Sequence, residues 1–301
     1  MIISIVLPNL NNRERLQKVL LAIKREMSIW SSNDVELIVV DNGSSDGSQE
    51  IVRQSQVNLF VQSKIRSPYF CRNYGIQMSK GRYIVLIDSN CIPENGWLKA
   101  GVDWLNKNNE ISILTGPISF EFTLKRSMFE RFDFLYSVIT TEDILEKTAL
   151  PAGHLFIRRE VFDKIGLFVP HVRSLGDIEW TNRAFKAGFK LGFAKDAKVS
   201  YPAKSRSAFL KKMLRLGRGS KEIWKAKGRC LLSKGWIWRV TKNFLPPSLR
   251  FINSMKRLNE REKMDLTILQ IIFLCWLTKL LRGLGMVFGK VEHPIGKEGI
   301  Y

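Results

Sequence analysis

The first half of the chain alternates continuous apolar runs with segments of helical periodicity. Ile2–Leu7, rich in Ile and Val, predicts a strand. Leu16, Val19, Leu20 and Ile23 recur at helical spacing and predict a helix over Arg13–Met27. Val35–Val40 is the short apolar run of a strand buried on both faces. Asp41–Ser48 reads as a loop with a helix start, continued by Gln49–Gln54. A strand over Val57–Val61, a helix over Pro68–Ser79 and a strand over Tyr83–Ile87 follow, the last running straight into Asp88. Gly96–Asn106 reads as a helix and Ile111–Thr115 as a strand. Such alternation predicts an α/β fold with a parallel, doubly wound sheet. Ligands of such sheets bind beyond the carboxyl ends of strands. Asp41 and Asp88 each follow a strand, so one cleft is expected to hold both.

The middle is less regular. Phe120–Leu150 reads as a loop-and-helix insertion. Helices are expected over Arg159–Ile165 and Ile178–Ala187, each closed by a glycine, and short strands over Lys190–Ala194 and Ala197–Tyr201. The composition shifts after Pro202. Residues 204–301 hold 22 Lys/Arg and 6 Asp/Glu, a net of +16 out of +20 for the chain. The expected division is a catalytic domain over 1–203 and a basic helical extension over 204–301. Within the extension, Leu266–Thr278 is apolar and is followed by Lys279 and Arg282. As a helix it would measure about 20 Å, short of the roughly 30 Å hydrocarbon core. It therefore reads as interfacial or re-entrant rather than spanning, and the positive charge points to an anionic membrane surface. A solvated basic surface is the plainer alternative.

The four cysteines form no C-x-x-C pair, so neither a disulfide framework nor a zinc site is expected. Ile2–Leu7 has no basic leader before it, and a cytoplasmic, membrane-peripheral location is expected. No G-x-G-x-x-G follows the first strand, which disfavours a dinucleotide-dependent dehydrogenase. No nucleic-acid motif accompanies the basic tail, so no nucleic-acid partner is expected.

Chemistry concentrates at Asp88-Ser89-Asn90, which ends a strand. A carboxylate there suits ribose hydroxyls or a divalent cation against a diphosphate. An Asp-Ser-Asn turn is the plainer reading. Around it stand Val39-Val40-Asp41-Asn42-Gly43-Ser44-Ser45-Asp46, Cys71-Arg72-Asn73-Tyr74-Gly75 and Gly81-Arg82-Tyr83. Downstream are Gly153–Phe162, with Arg158-Arg159-Glu160, and Leu175-Gly176-Asp177-Ile178-Glu179-Trp180 with Arg183. In order and spacing this set resembles the family-2 inverting glycosyltransferases of the GT-A fold, over roughly residues 2–203.

The resemblance implies a Rossmann-like, mostly parallel twisted sheet flanked by helices. It implies a nucleotide-diphospho-sugar donor and a glycan or lipid-linked acceptor. Pro8 and Asn9 are expected to line the nucleotide pocket, Asp41 to read the base and Arg72 to face base or diphosphate. Asp88 is expected at the ribose, and His154 stands at a substrate position. Asp177 is expected to be the catalytic base, with Glu179 in reserve. Asn90, beside Asp88, replaces the usual metal-binding carboxylate, so a Mg²⁺ or Mn²⁺ ion is expected to be weakly held. Gly176 replaces the Glu before the base, and Tyr201 stands where many members carry a His. These departures leave a non-catalytic nucleotide-sugar-binding relative as the alternative. Asp177 also suits a plain helix N-cap, and Asp41 and Asp46 suit loop organisation.

Overall fold

The computed structural model describes residues 2–139 and 148–290. Part of the expected insertion, 140–147, lies outside the described residues. The central sheet has seven strands: β1 (Ile3–Asn9), β2 (Val35–Asp41), β3 (Asn58–Val61), β4 (Tyr83–Ile87), β6 (Ile111–Thr115), β8 (His154–Arg158) and β9 (Lys190–Phe193). Their order is β3-β2-β1-β4-β8-β6-β9. All pairings are parallel except those of β8, which runs antiparallel to both β4 and β6. A small second sheet joins β5 (Ile92–Pro93), β10 (Val199–Pro202) and β7 (Ile118–Glu121).

The apolar runs are buried on both faces because helices cover both. Side chains alternate along a strand, so Tyr83, Val85 and Ile87 face one layer and Ile84 and Leu86 the other. The first layer packs on α1 (Arg13–Met27) and α4 (Trp97–Lys107), through Leu16, Leu20, Trp97 and Leu105. The second packs on α3 (Pro68–Met78), α6 (Arg159–Ile165) and α7 (Gly176–Lys186), through Tyr69, Ile76, Phe162 and Trp180. The short α2 (Ser48–Gln54) lies between β2 and β3 in the chain. The GT-A-type α/β expectation holds, with β8 as the antiparallel exception.

A third apolar cluster joins α5 (Met128–Ile139) to the C-terminal helices α8 (Arg206–Ala226), α10 (Leu249–Arg261) and α11 (Ile268–Phe288). Phe132, Phe209, Met213, Met255 and Leu274 are buried in it. The shorter α9 (Lys234–Thr241) connects α8 and α10. α11 corrects the expected length: it continues through Lys279 and Arg282 to Phe288. Neither charge ends the helix, because Lys and Arg are good helix formers, and each also finds a partner. Lys279 Nζ donates to Pro246 O at 2.9 Å, and Arg282 Nη1 to Tyr136 Oη at 3.0 Å. At 21 residues, α11 is long and apolar enough to cross a membrane by length and composition.

Candidate active site

The register of the sheet sets the cleft. Asn9 at the end of β1 lies opposite Asp41 at the end of β2, and Asp88 follows β4 next to β1. All three sit at carboxyl ends, where the fold class places ligands.

Arg72, one turn into α3, reaches across to this edge and is 3% exposed. Its Nη2 pairs with Asp88 Oδ1 and donates to Ala152 O at 3.1 Å. Its Nε is buried without a partner. Burial raises Asp88 above the usual carboxylate range, the Arg72 guanidinium opposes that rise, and the negative charge of Asp177 adds to it.

Asp177 enters from α7, in its first turn. Its N-cap is Leu175, which adopts φ +67° and makes no side-chain cap hydrogen bond. Asp177 is therefore not the N-cap, and its carboxylate is spent elsewhere. Oδ1 accepts from Tyr69 Oη at 2.8 Å and Oδ2 from Ala152 N at 2.7 Å. Asp88, Arg72, Tyr69, Ala152 and Asp177 thus form one connected cluster at the cleft.

Other expected residues fall differently. Asp41 is fully buried and its acceptor capacity is used by the loop it follows. Oδ1 accepts from Gly43 N, Ser44 N and Gln49 Nε2, and Oδ2 from Asn9 Nδ2 and Ser44 Oγ. It organises the loop, and no face of it is open to a base in this structure. Asp46 does the same one turn later, accepting from Arg13 N and Ser48. Asn9 keeps one buried, unpartnered acceptor, Oδ1.

His154 also lies apart from the Asp177 cluster. It is fully buried on β8 between Trp97 and Phe156. Its Nδ1 accepts from Trp97 Nε1 at 3.3 Å, and Nε2 lies 3.2 Å from Gly116 O. Burial pushes the imidazole down to about 4, so it stands in this structure as a neutral, buried side chain. Glu179 points away from the Asp177 cluster, toward Arg183 Nε at 3.7 Å and Lys227 Nζ at 3.4 Å.

Asn90 lies beside Asp88, where its Oδ1 accepts from Asn12 Nδ2 at 3.2 Å and its O from Arg15 Nε at 3.2 Å. Tyr201 packs edge-on against Phe120 with Lys204 Nζ 4.3 Å from its ring centre. Burial raises its hydroxyl above the ordinary range, so it remains a phenol. Among the described residues no three His, Cys, Asp or Glu side chains gather as a ready-made metal site.

Sequence reasoning missed Tyr69 and the Ala152 amide. Tyr69 precedes Arg72 by three residues, which on a helix is the same face. That spacing was the available signal.

Comparison with known proteins bears on the family and the fold. The model of the family described as "Glycosyl transferase family 2" matches residues 4–166. Glycosyltransferase AglE of Haloferax volcanii is 28% identical over 291 residues, covering 94% of each chain. Chondroitin synthase of Escherichia coli is 25% identical over 200 residues, 64% of this chain but only 28% of that protein. Among solved structures, the mannosyltransferase PcManGT from Pyrobaculum calidifontis, in complex with GDP-Man and Mn²⁺, superposes with a TM-score of 0.64. It shares 15% identity and covers 96% of this chain and 88% of its own, a likeness of fold.

Proposed function

This chain belongs to glycosyl transferase family 2, the nucleotide-sugar glycosyltransferases of the GT-A fold, and on that premise we propose an inverting transfer with Asp177 as general base. The acceptor is a hydroxyl of a glycan or lipid-linked precursor in polysaccharide biosynthesis. The carrying observation is that the Arg72–Asp88 pair and the Asp177 carboxylate meet at one cleft through Ala152 and Tyr69.

In this reading Asp177 takes the proton of the acceptor hydroxyl. The freed oxygen bonds to the anomeric carbon from the face opposite the diphosphate. The bond to the diphosphate breaks, and its electron pair leaves with the nucleotide. Arg72, buried and positive, favours the charge on that leaving group. Asn9 Oδ1, a buried acceptor without a protein partner, suits a donor N–H of the nucleotide.

The residues present fit a cation that takes most of its ligands from the donor's diphosphate and from water. Mg²⁺ is commonly held that way, by one or two carboxylates plus substrate phosphates. Asp88 and Asn90 would hold it. Asp88 gives Arg72 only Oδ1, and 36% of its side chain is exposed; Asn90 adds a neutral amide oxygen. When bound, such an ion offsets charge on the diphosphate. An assay with nucleotide-diphospho-sugars should yield a product of inverted anomeric configuration, read by NMR. Transfer should fall in excess chelator and return with Mg²⁺ or Mn²⁺. A product of retained configuration would end the single-displacement reading.

The proposed place of action is the cytoplasmic face of a membrane. Most of the exposed large apolar side chains among the described residues lie beyond Leu232. On α11, Leu269, Ile272, Phe273 and Trp276 recur every three to four residues on the side opposite the buried Ile271, Leu274 and Cys275. Trp238 on α9 is exposed as well. The tail's net +16 supplies the complement to anionic lipid, about 1 kcal/mol per cation near the surface and weaker in salt.

Although α11 is long enough to span, its packing favours lying flat. Its backbone touches that of α8: a Cβ on Gly285 would stand 2.2 Å from Leu214 O, and one on Gly217 2.1 Å from Arg282 O. α8 carries Arg206, Lys211, Lys212, Arg215, Arg218, Lys221 and Lys225. Drawing that helix into hydrocarbon costs several kcal/mol, on the order of 2.5–3.5 per central Lys or Arg. The full chain should therefore sediment with phosphatidylserine-containing vesicles at low salt. Phe273→Glu with Trp276→Glu should abolish this without changing the far-UV spectrum. Equal binding to neutral and anionic vesicles would count against the electrostatic part.

A further inference from the structure

We propose that Tyr69 is a positioning residue that fixes the Asp177 carboxylate for proton transfer, using space that Gly176 leaves open. The inference rests on the reading of Asp177 as the base.

Tyr69 is buried on the first turn of α3. That turn is anchored twice. Ser67 caps the helix, accepting from Tyr69 N and Phe70 N, and its hydroxyl donates to Val172 O at 2.6 Å. The anchor ties α3 to the loop that leads into α7. The Tyr69 ring then lies against Phe168, at 5.8 Å between centroids, with the Arg72 Cζ 5.1 Å from its own centre. Its hydroxyl meets Asp177 Oδ1 at 2.8 Å.

Gly176 makes this placement possible. A Cβ there would stand 2.9 Å from Tyr69 Cδ2 and Cε2 and 2.9 Å from a Val172 methyl. Contacts under about 3 Å are not tolerated by real side chains, so any larger residue must displace the ring or the loop. The glutamate that the family pattern puts before the base is absent here, and the Tyr69 ring packs directly against the glycine in its place.

The consequence is a carboxylate held from two directions. Tyr69 Oη donates to Oδ1 and Ala152 N to Oδ2, which fixes the rotation of the group. Lone pairs remain on both oxygens for the acceptor hydroxyl. Burial first, and the charge of Asp177 second, push the Tyr69 hydroxyl above its usual range, so it stays a donor throughout. Arg72 lies between Tyr69 and Asp88, so the group that pairs with Asp88 also packs on the residue that holds the base.

The test is a cycle on the full chain. Tyr69→Phe keeps the ring and removes only the hydroxyl. Its kcat should fall roughly tenfold, the effect of a lost charge-assisted hydrogen bond that misorients a base. The KM for the donor should stay within about twofold of wild type by the same argument, because no donor contact is removed. In an Asp177→Asn background, Tyr69→Phe should change the residual rate by less than about twofold, since coupled residues are not additive. Gly176→Ala retains the hydroxyl but crowds the ring, and should lower kcat in the same direction. An unchanged kcat in Tyr69→Phe overturns the proposal. So does an equal fall in both backgrounds, which marks a packing role, or a raised donor KM at constant kcat, which places Tyr69 at the donor. If Asp177→Asn itself turns over normally, the base assignment has failed, and that result is distinct from the other three.

Discussion

Asp177→Asn should lower turnover by about two to four orders of magnitude, the range of a lost general base, while leaving the protein folded and able to bind its donor. The reason for intact folding is local. α7 has Leu175 at its N-cap and takes no cap from Asp177, so no helix terminus loses its partner. An asparagine can place its carbonyl toward Ala152 N and its amide N–H toward the Tyr69 oxygen, whose hydroxyl rotates to suit. Removing the charge also relieves the repulsion that Asp177 exerts on Asp88. Glu179→Gln is the control. Glu179 is held by Arg183 and Lys227, and its loss costs an ion pair but no proton acceptor at the cleft. Thermal melts and donor titrations accompany the rates. Surviving turnover in Asp177→Asn, with loss in Glu179→Gln, would assign the base to the other carboxylate.

Much of the framework was legible because it follows from periodicity. Continuous apolar runs marked strands covered on both faces, and strand ends marked the cleft. Asp88, Arg72 and Asp177 meet there although they lie far apart in sequence, as ordered motifs on a known type of sheet should. What a motif does not encode is how many hydrogen bonds a side chain has already made. Asp41 looks open in sequence, yet the Gly43-Ser44 turn, Gln49 and Asn9 occupy both its oxygens. His154 is buried for a different reason. β8 is antiparallel, and alternation along it turns the imidazole into the layer under Trp97. The role of Gly176 was hidden too, because the ring that needs its missing Cβ comes from Tyr69, 108 residues from Asp177. On α11, the apolar run stops at the first cations, whereas the helix continues through them because Lys and Arg are good helix formers.

The Arg72–Asp88 pair should show an asymmetry in stability. Asp88→Asn leaves the Arg72 guanidinium, 3% exposed and with its Nε already unpartnered, without its counter-charge. Breaking a buried pair from one side typically costs about 3–5 kcal/mol, because the other charge stays desolvated. Asp88 is 36% exposed on its side chain, so solvent screens part of the interaction. The discounted expectation is about 2–3 kcal/mol, a fall in Tm on the order of 4–10 °C. Arg72→Met acts from the other side. It removes the buried cation and leaves a carboxylate that water can reach, so its cost should be nearer 1 kcal/mol, the scale of a partly exposed pair. The double variant should then be more stable than Asp88→Asn alone, because the stranded cation is gone. Transfer should fall about 100-fold or more in all three, since each removes a charge aimed at the donor. Melting curves of the four proteins decide the matter. If Asp88→Asn melts with wild type, Arg72 does not depend on Asp88 for its charge compensation, and the pair is not the support of the cleft.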